Sequence, residues 1–123
     1  MSAVRVLVVD DDESILEFLT MILEGAGFVV ETADHGQKAV DIVAADGLAA
    51  VLLDYMMPDQ NGLEVAAKLR DIHPAMPVFI VTAYDSPELR REAAKHGVCD
   101  VIGKPFQPEE LVEKLRHAVQ VAR

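Results

Sequence analysis

The sequence contains no tryptophan and a single cysteine, Cys99. One thiol rules out an intramolecular disulfide, and the chain fits a reducing compartment. Cys99 itself reads as a small buried apolar residue late in the fold. Long apolar runs are missing too. Val6–Val9 is too short for a signal-peptide core, and no other stretch approaches a membrane span, so the expected location is the cytoplasm, away from membranes. Basic residues are scarce: 11 Lys and Arg stand against 21 Asp and Glu, for a net charge of −10. Phosphate backbones and anionic headgroups both need a positive surface, so neither nucleic acid nor an anionic membrane is an expected direct partner. Acidity of this kind commonly serves to solvate a surface. Its amount names no function, but its distribution carries more.

What is present is apolar and rhythmic. The chain has 123 residues, of which 51% are hydrophobic, enough for one core and one domain spanning residues 1–123. Five apolar runs recur: Arg5–Val9, Val29–Thr32, Ala50–Leu53, Val78–Val81 and the weak Val101–Ile102. Helical periodicity fills the intervals, with Ile15, Leu19, Ile22 and Leu23 on one stripe, Val65, Ala66, Leu69 and Ile72 on another, and Leu111, Leu115, Ala118 and Val119 on the last. Gly25 with Gly27, Asp46-Gly47, His73-Pro74 and Gly97 read as helix ends. Asp34 with Gln37, Asn61 with Glu64, and Asp85 with Glu88 have the spacing of capping boxes, while Pro87 and Pro108 suit first helical turns. Strict β-α alternation implies parallel strands, right-handed crossovers and helices on both faces of a doubly wound α/β sheet. Wholly apolar runs suit strands covered on both faces, and Glu31 marks Val29–Thr32 as an edge.

Ligands of such sheets bind beyond the carboxyl ends of the strands. There the sequence puts Asp10, Asp11 and Asp12 after the first strand and Asp54 after the third. Thr82 follows the fourth strand, and Lys104-Pro105 the fifth. Each admits an ordinary reading: a helix N-cap, a turn former, a strand-favouring threonine, a surface lysine. One site accounts for all four together. Crowded carboxylates in a crevice favour protonation unless a cation relieves them, and Mg²⁺ takes hard oxygen ligands while keeping water or recruiting phosphate oxygens. The expected ligands are Asp11, Asp54, the Met56 backbone carbonyl and water. Asp54 is then placed to attack phosphorus, with Lys104 neutralising the incoming group and Thr82 donating to it.

The segments Val6–Asp12, Leu53–Pro58 with Asn61-Gly62, Val81–Ala83 and Lys104–Phe106 resemble the receiver domain of two-component response regulators. The resemblance covers essentially the whole chain. It implies a flavodoxin-like (βα)5 sandwich with strand order 2-1-3-4-5, and Asp54 as phospho-acceptor. Asp10 and Asp11 then hold Mg²⁺ with Asp54 and the Met56 carbonyl, Thr82 is the switch hydroxyl and Lys104 contacts the phosphoryl group. A cis Lys104–Pro105 bond is implied, as are shaping roles for Pro58 and Gly62. The implied donor is the histidine of a sensor kinase or a histidine phosphotransfer protein. The chain would act as a switch that catalyses only its own phosphorylation and dephosphorylation. One position departs from the pattern. Where receivers usually carry Tyr or Phe, three residues before the motif lysine, this chain has Val101. A stiff, small side chain cannot swing inward as a ring does, so the expected route of the signal is the loop from Ala83 to Pro87 and the fourth helix. The expected output face is the fourth helix, fifth strand and fifth helix, with Leu89, Val101 and Lys114 meeting a downstream protein, an output domain or a second copy. The competing readings are a pseudo-receiver that is not phosphorylated, a haloacid-dehalogenase-like phosphatase using Asp10 and Asp12, and a flavin-binding module.

Overall fold

The structure, a computed structural model, describes residues 4–45, 47–57 and 60–122. Strands and helices alternate without exception: β1 (Arg5–Val9), α1 (Glu13–Gly25), β2 (Val29–Ala33), α2 (Gly36–Ala44), β3 (Ala50–Asp54), α3 (Gly62–Ile72), β4 (Val78–Thr82), α4 (Pro87–Lys95), β5 (Asp100–Gly103) and α5 (Pro108–Ala122). All strand pairs are parallel, in the order β2-β1-β3-β4-β5. The doubly wound α/β fold and its strand order therefore stand as expected, with β2 at an edge. Asp46, Pro58 and the chain termini lie outside the described residues.

Strand pleating divides the core into two layers. Val6, Val8, Ala50, Leu52, Phe79, Val81 and Ile102 pack with the buried faces of α1 and α5. Leu7, Val9, Val51, Leu53, Val78, Ile80 and Val101 pack with α2, α3 and α4. Each layer removes large aliphatic side chains from water, at about 1.5–3 kcal/mol per fully buried residue, so the sheet is held from both sides. That rigidity fixes the strand ends, which is where the polar residues of interest sit.

Local chemistry differs from expectation at three places. The N-cap of α2 is His35, without a side-chain cap bond. Asp34 pairs with the His35 ring at 2.8 Å, and Gln37 reaches Asp41 at 3.0 Å. At α4 the cap is Ser86, whose hydroxyl accepts from the Leu89 amide at 3.0 Å, leaving Asp85 free to pair elsewhere. Asn61 does cap α3 as expected, accepting from Leu63 N at 2.7 Å. Cys99 is exposed rather than buried, because Val98 takes the inward position just before β5.

The expected output face also needs correction. Leu89 and Val101 are 7% and 2% exposed, both in the α4-side core, so neither is available to a partner. What α4, β5 and α5 present outward is charge, including Arg90, Glu110 and Lys114.

Candidate functional site

Three consecutive aspartates after β1 do three different things. Asp12 caps α1, accepting from the Ser14 amide at 2.9 Å, so the ordinary capping reading holds for this residue alone. Asp10 is 4% exposed and accepts from the Asp12 amide at 2.9 Å, while its own amide donates to Ala33 O. Asp11 between them is exposed. Asp54, the last residue of β3, sits one strand over with its side chain 13% exposed.

The carboxylate oxygens of Asp10, Asp11 and Asp54 lie within 4.8 Å of one another. Lys104 reaches over from the end of β5, its Nζ 3.7 Å from Asp10 Oδ2 and 3.7 Å from Asp54 Oδ1. The Lys104–Pro105 peptide is cis, and the Lys104 amide donates to Thr82 O at 2.7 Å. The ends of β1, β3 and β5 thus converge on one crevice, and the end of β4 is tied beside it through the Thr82 carbonyl.

Electrostatics in the crevice are unfavourable for bare carboxylates. Burial, then the negative charges of Asp10 and Asp11, push the Asp54 carboxyl up to about 6; Lys104 and the Met56 amide pull against this without winning. Asp10 is also raised, chiefly by burial. A site that holds three acids against their own repulsion is chemically fitted to a hard divalent cation, for which clustered carboxylate oxygens are the preferred donors.

The loop after β3 comes back close to Asp54. Gly62 N donates to Tyr55 O at 2.8 Å, and a Cβ at Gly62 would lie 2.5 Å from Asp54 O and 2.9 Å from Tyr55 Cα. Only glycine permits that approach. Met56 bridges to Asn61 and is 59% exposed. Thr82 is 1% exposed at the end of β4, and its hydroxyl accepts from the Tyr84 amide at 3.0 Å. By strand parity it continues Val78 and Ile80, toward the α4 layer. Ala83 is exposed, directly beyond it.

Two contributors have no role assigned from the sequence, Phe106 standing there only as part of the Lys104–Phe106 segment. Phe106 packs its ring against Phe18 of α1, centroids 6.3 Å apart, which anchors the segment that carries Lys104. Arg90 binds Asp85 and the backbone of β5. An Arg five residues from an Asp was visible in the sequence. Its partner is hidden there, because the spacing of Asp85 and Glu88 is that of a capping box.

The sequence profile of the response regulator receiver domain matches residues 6–116. Response regulator MprA of Mycolicibacterium vanbaalenii is 42% identical over 113 residues, which cover 92% of this chain and 49% of that protein. Among solved structures, a CheY-like receiver domain protein from Methanospirillum hungatei superposes with a TM-score of 0.93 at 31% identity, covering 98% of this chain and 97% of that one. The beryllofluoride-activated NtrC4 receiver domain dimer gives 0.90 at 31% identity, covering 97% and 98%. The chain belongs to the response regulator receiver domain family. It is a signalling switch of the two-component class, and it spans about half the length of the MprA relatives it matches. Among the described residues, no helix is long and apolar enough to cross a membrane.

Proposed function

We propose that Asp54 accepts a phosphoryl group from the phosphohistidine of a sensor kinase or phosphotransfer protein. An Asp54 carboxylate oxygen attacks phosphorus. The new P–O bond forms as the P–N bond to the donor imidazole breaks, and the imidazole leaves with the electron pair and takes up a proton. Lys104 pairs with a phosphoryl oxygen, and the Thr82 hydroxyl donates to another. Asp10, Asp11, Asp54 and the Met56 carbonyl would hold Mg²⁺, which supplies positive charge to the carboxylates and to the phosphoryl oxygens. The observation that carries this reading is the convergence of three carboxylates within 4.8 Å of one another, with Lys104 Nζ 3.7 Å from both Asp10 and Asp54. A phosphatase using Asp10 and Asp12 fits poorly, because Asp12 is committed to capping α1.

Residues 1–123 act as one cytoplasmic receiver unit in this reading, signalling to an output domain, a separate protein or a second copy. The test is intact mass after incubation with acetyl phosphate and Mg²⁺. A single phosphoryl adduct is expected on the wild type, absent without Mg²⁺ and absent in Asp54→Asn. No adduct on the wild type would overturn self-catalysed phosphorylation and favour the pseudo-receiver.

A further inference from the structure

The site reading leaves Arg90 unused, yet this side chain is the most heavily engaged cation among the described residues. Its Nε and Nη2 hold the two carboxylate oxygens of Asp85 at 2.8 Å each. Nη2 also donates to the Val101 carbonyl at 2.9 Å, and Nη1 reaches Asp100 Oδ1 at 3.2 Å. Asp100 is held in turn by Lys114 from α5 at 3.0 Å. One guanidinium therefore ties the β4–α4 loop, α4 and β5 together. A bidentate Arg–carboxylate fork fixes orientation as well as distance, unlike the ordinary surface pairs Arg91–Glu88 and Lys95–Glu92 on the same helix.

The clamp is a few residues from the phosphoryl site. Thr82 and Asp85 are three residues apart, a reach of at most about 10 Å. At the near end the Thr82 hydroxyl holds the Tyr84 amide, and the Thr82 carbonyl accepts from the Lys104 amide. The far end is Asp85, pinned by Arg90 and lying against Gly103, the residue before Lys104. Movement of Thr82 toward a phosphoryl group on Asp54 draws Tyr84 with it or breaks its bond. Ala83 and Tyr84 must then absorb the whole displacement, or Asp85 must leave Arg90. Val101 offers no large side chain to move in compensation.

We propose that the Asp85–Arg90 clamp onto the Val101 carbonyl is a latch that holds the β4–α4 loop in the unphosphorylated arrangement and opposes occupation of the phosphoryl site. The two events are coupled and the coupling is reciprocal: filling the site loosens the latch, and removing the latch favours filling. The inference rests on the reading of Asp54 as acceptor.

The test is calorimetric binding of beryllofluoride in the presence of Mg²⁺ to the full chain. The set comprises wild type, Asp85→Asn, and Glu88→Gln as a control that removes the same charge from α4 without touching the latch. Asp85→Asn is expected to bind about three- to tenfold more tightly than wild type, with Glu88→Gln unchanged, as release of one well-oriented surface ion pair allows. In the wild type, the Arg90 Nε–H signal in ¹⁵N NMR should shift and exchange faster with solvent once beryllofluoride is bound. Equal or weaker binding by Asp85→Asn, or the same gain in Glu88→Gln, overturns the latch while leaving Asp54 as acceptor intact. An Arg90 signal unmoved by beryllofluoride does so as well. Absence of beryllofluoride binding in the wild type overturns both readings.

Discussion

At the scale of single residues, Asp54 carries a measurable cost. Its folded-state pKa of about 6 lies above the ordinary 3.8, so the native protein binds this proton more tightly than the unfolded chain does. The penalty is present above pH 6 and is relieved as the pH falls toward 4. Without metal at pH 7.5, Asp54→Asn should therefore be more stable than wild type by about 1–3 kcal/mol in chemical denaturation, the gain vanishing near pH 4. Mg²⁺ should narrow the gap by stabilising the wild type, and a variant no more stable than wild type at pH 7.5 would contradict the electrostatic reading. Asp85 and Asp100 work in the opposite direction. Asp85 is lowered by its bonds to Arg90. Asp100, although burial raises it, is lowered overall by Lys114, the Val101 amide and Arg90. Their stabilisation is present above about pH 4 and is lost below it as the carboxyls protonate.

At the scale of elements, the turn from β3 into α3 decides whether Asp54 is correctly presented. Gly62 starts α3 behind the Asn61 cap, and its backbone lies against Asp54 and Tyr55 too closely for any Cβ. Gly62→Ala must displace backbone rather than a flexible side chain. A loss of about 1–3 kcal/mol in unfolding free energy is expected, as for other overpacked sites. Slower adduct formation with acetyl phosphate should accompany it, and a variant with wild-type stability and rate would show that the loop yields freely. This glycine was visible in the sequence only as part of a motif. Its reason is a contact between segments eight residues apart, which spacing cannot reveal.

For the whole molecule, the two packed layers make the sheet a fixed platform, and the loops beyond its carboxyl edge are what can respond. Val101 of β5 is buried in the layer it shares with α4, and the expected route outward is through residues 83–86 and along α4. Comparing amide shifts with and without beryllofluoride and Mg²⁺, the largest changes outside the site should fall in residues 83–96. A response confined to the immediate surroundings of Asp54 would mean that the signal leaves by another path.

Apolar runs wholly covered by helices, together with the β-α rhythm, were enough to specify a doubly wound sheet, because burial on both faces leaves a distinctive composition. The meeting of the acids with the lysine was equally legible, since topology alone brings strand ends to one edge, whereas the bond from the Tyr84 amide to the Thr82 hydroxyl was not. Residue type alone could not decide which aspartate would cap and which would cluster, for Asp10, Asp11 and Asp12 are chemically alike; the family resemblance singled out Asp10 and Asp11, and these are the two that cluster with Asp54. Only the turn into α1 turned Asp12 to its own helix and buried Asp10 beside Asp54. The partner of Asp85 was likewise settled in three dimensions. Ser86 took the cap, and Arg90, one turn into α4, could then reach both the freed carboxylate and the β5 backbone. Periodicity and burial act locally along the chain and can be read from it; the pairing of charges across elements depends on distances that exist only after folding.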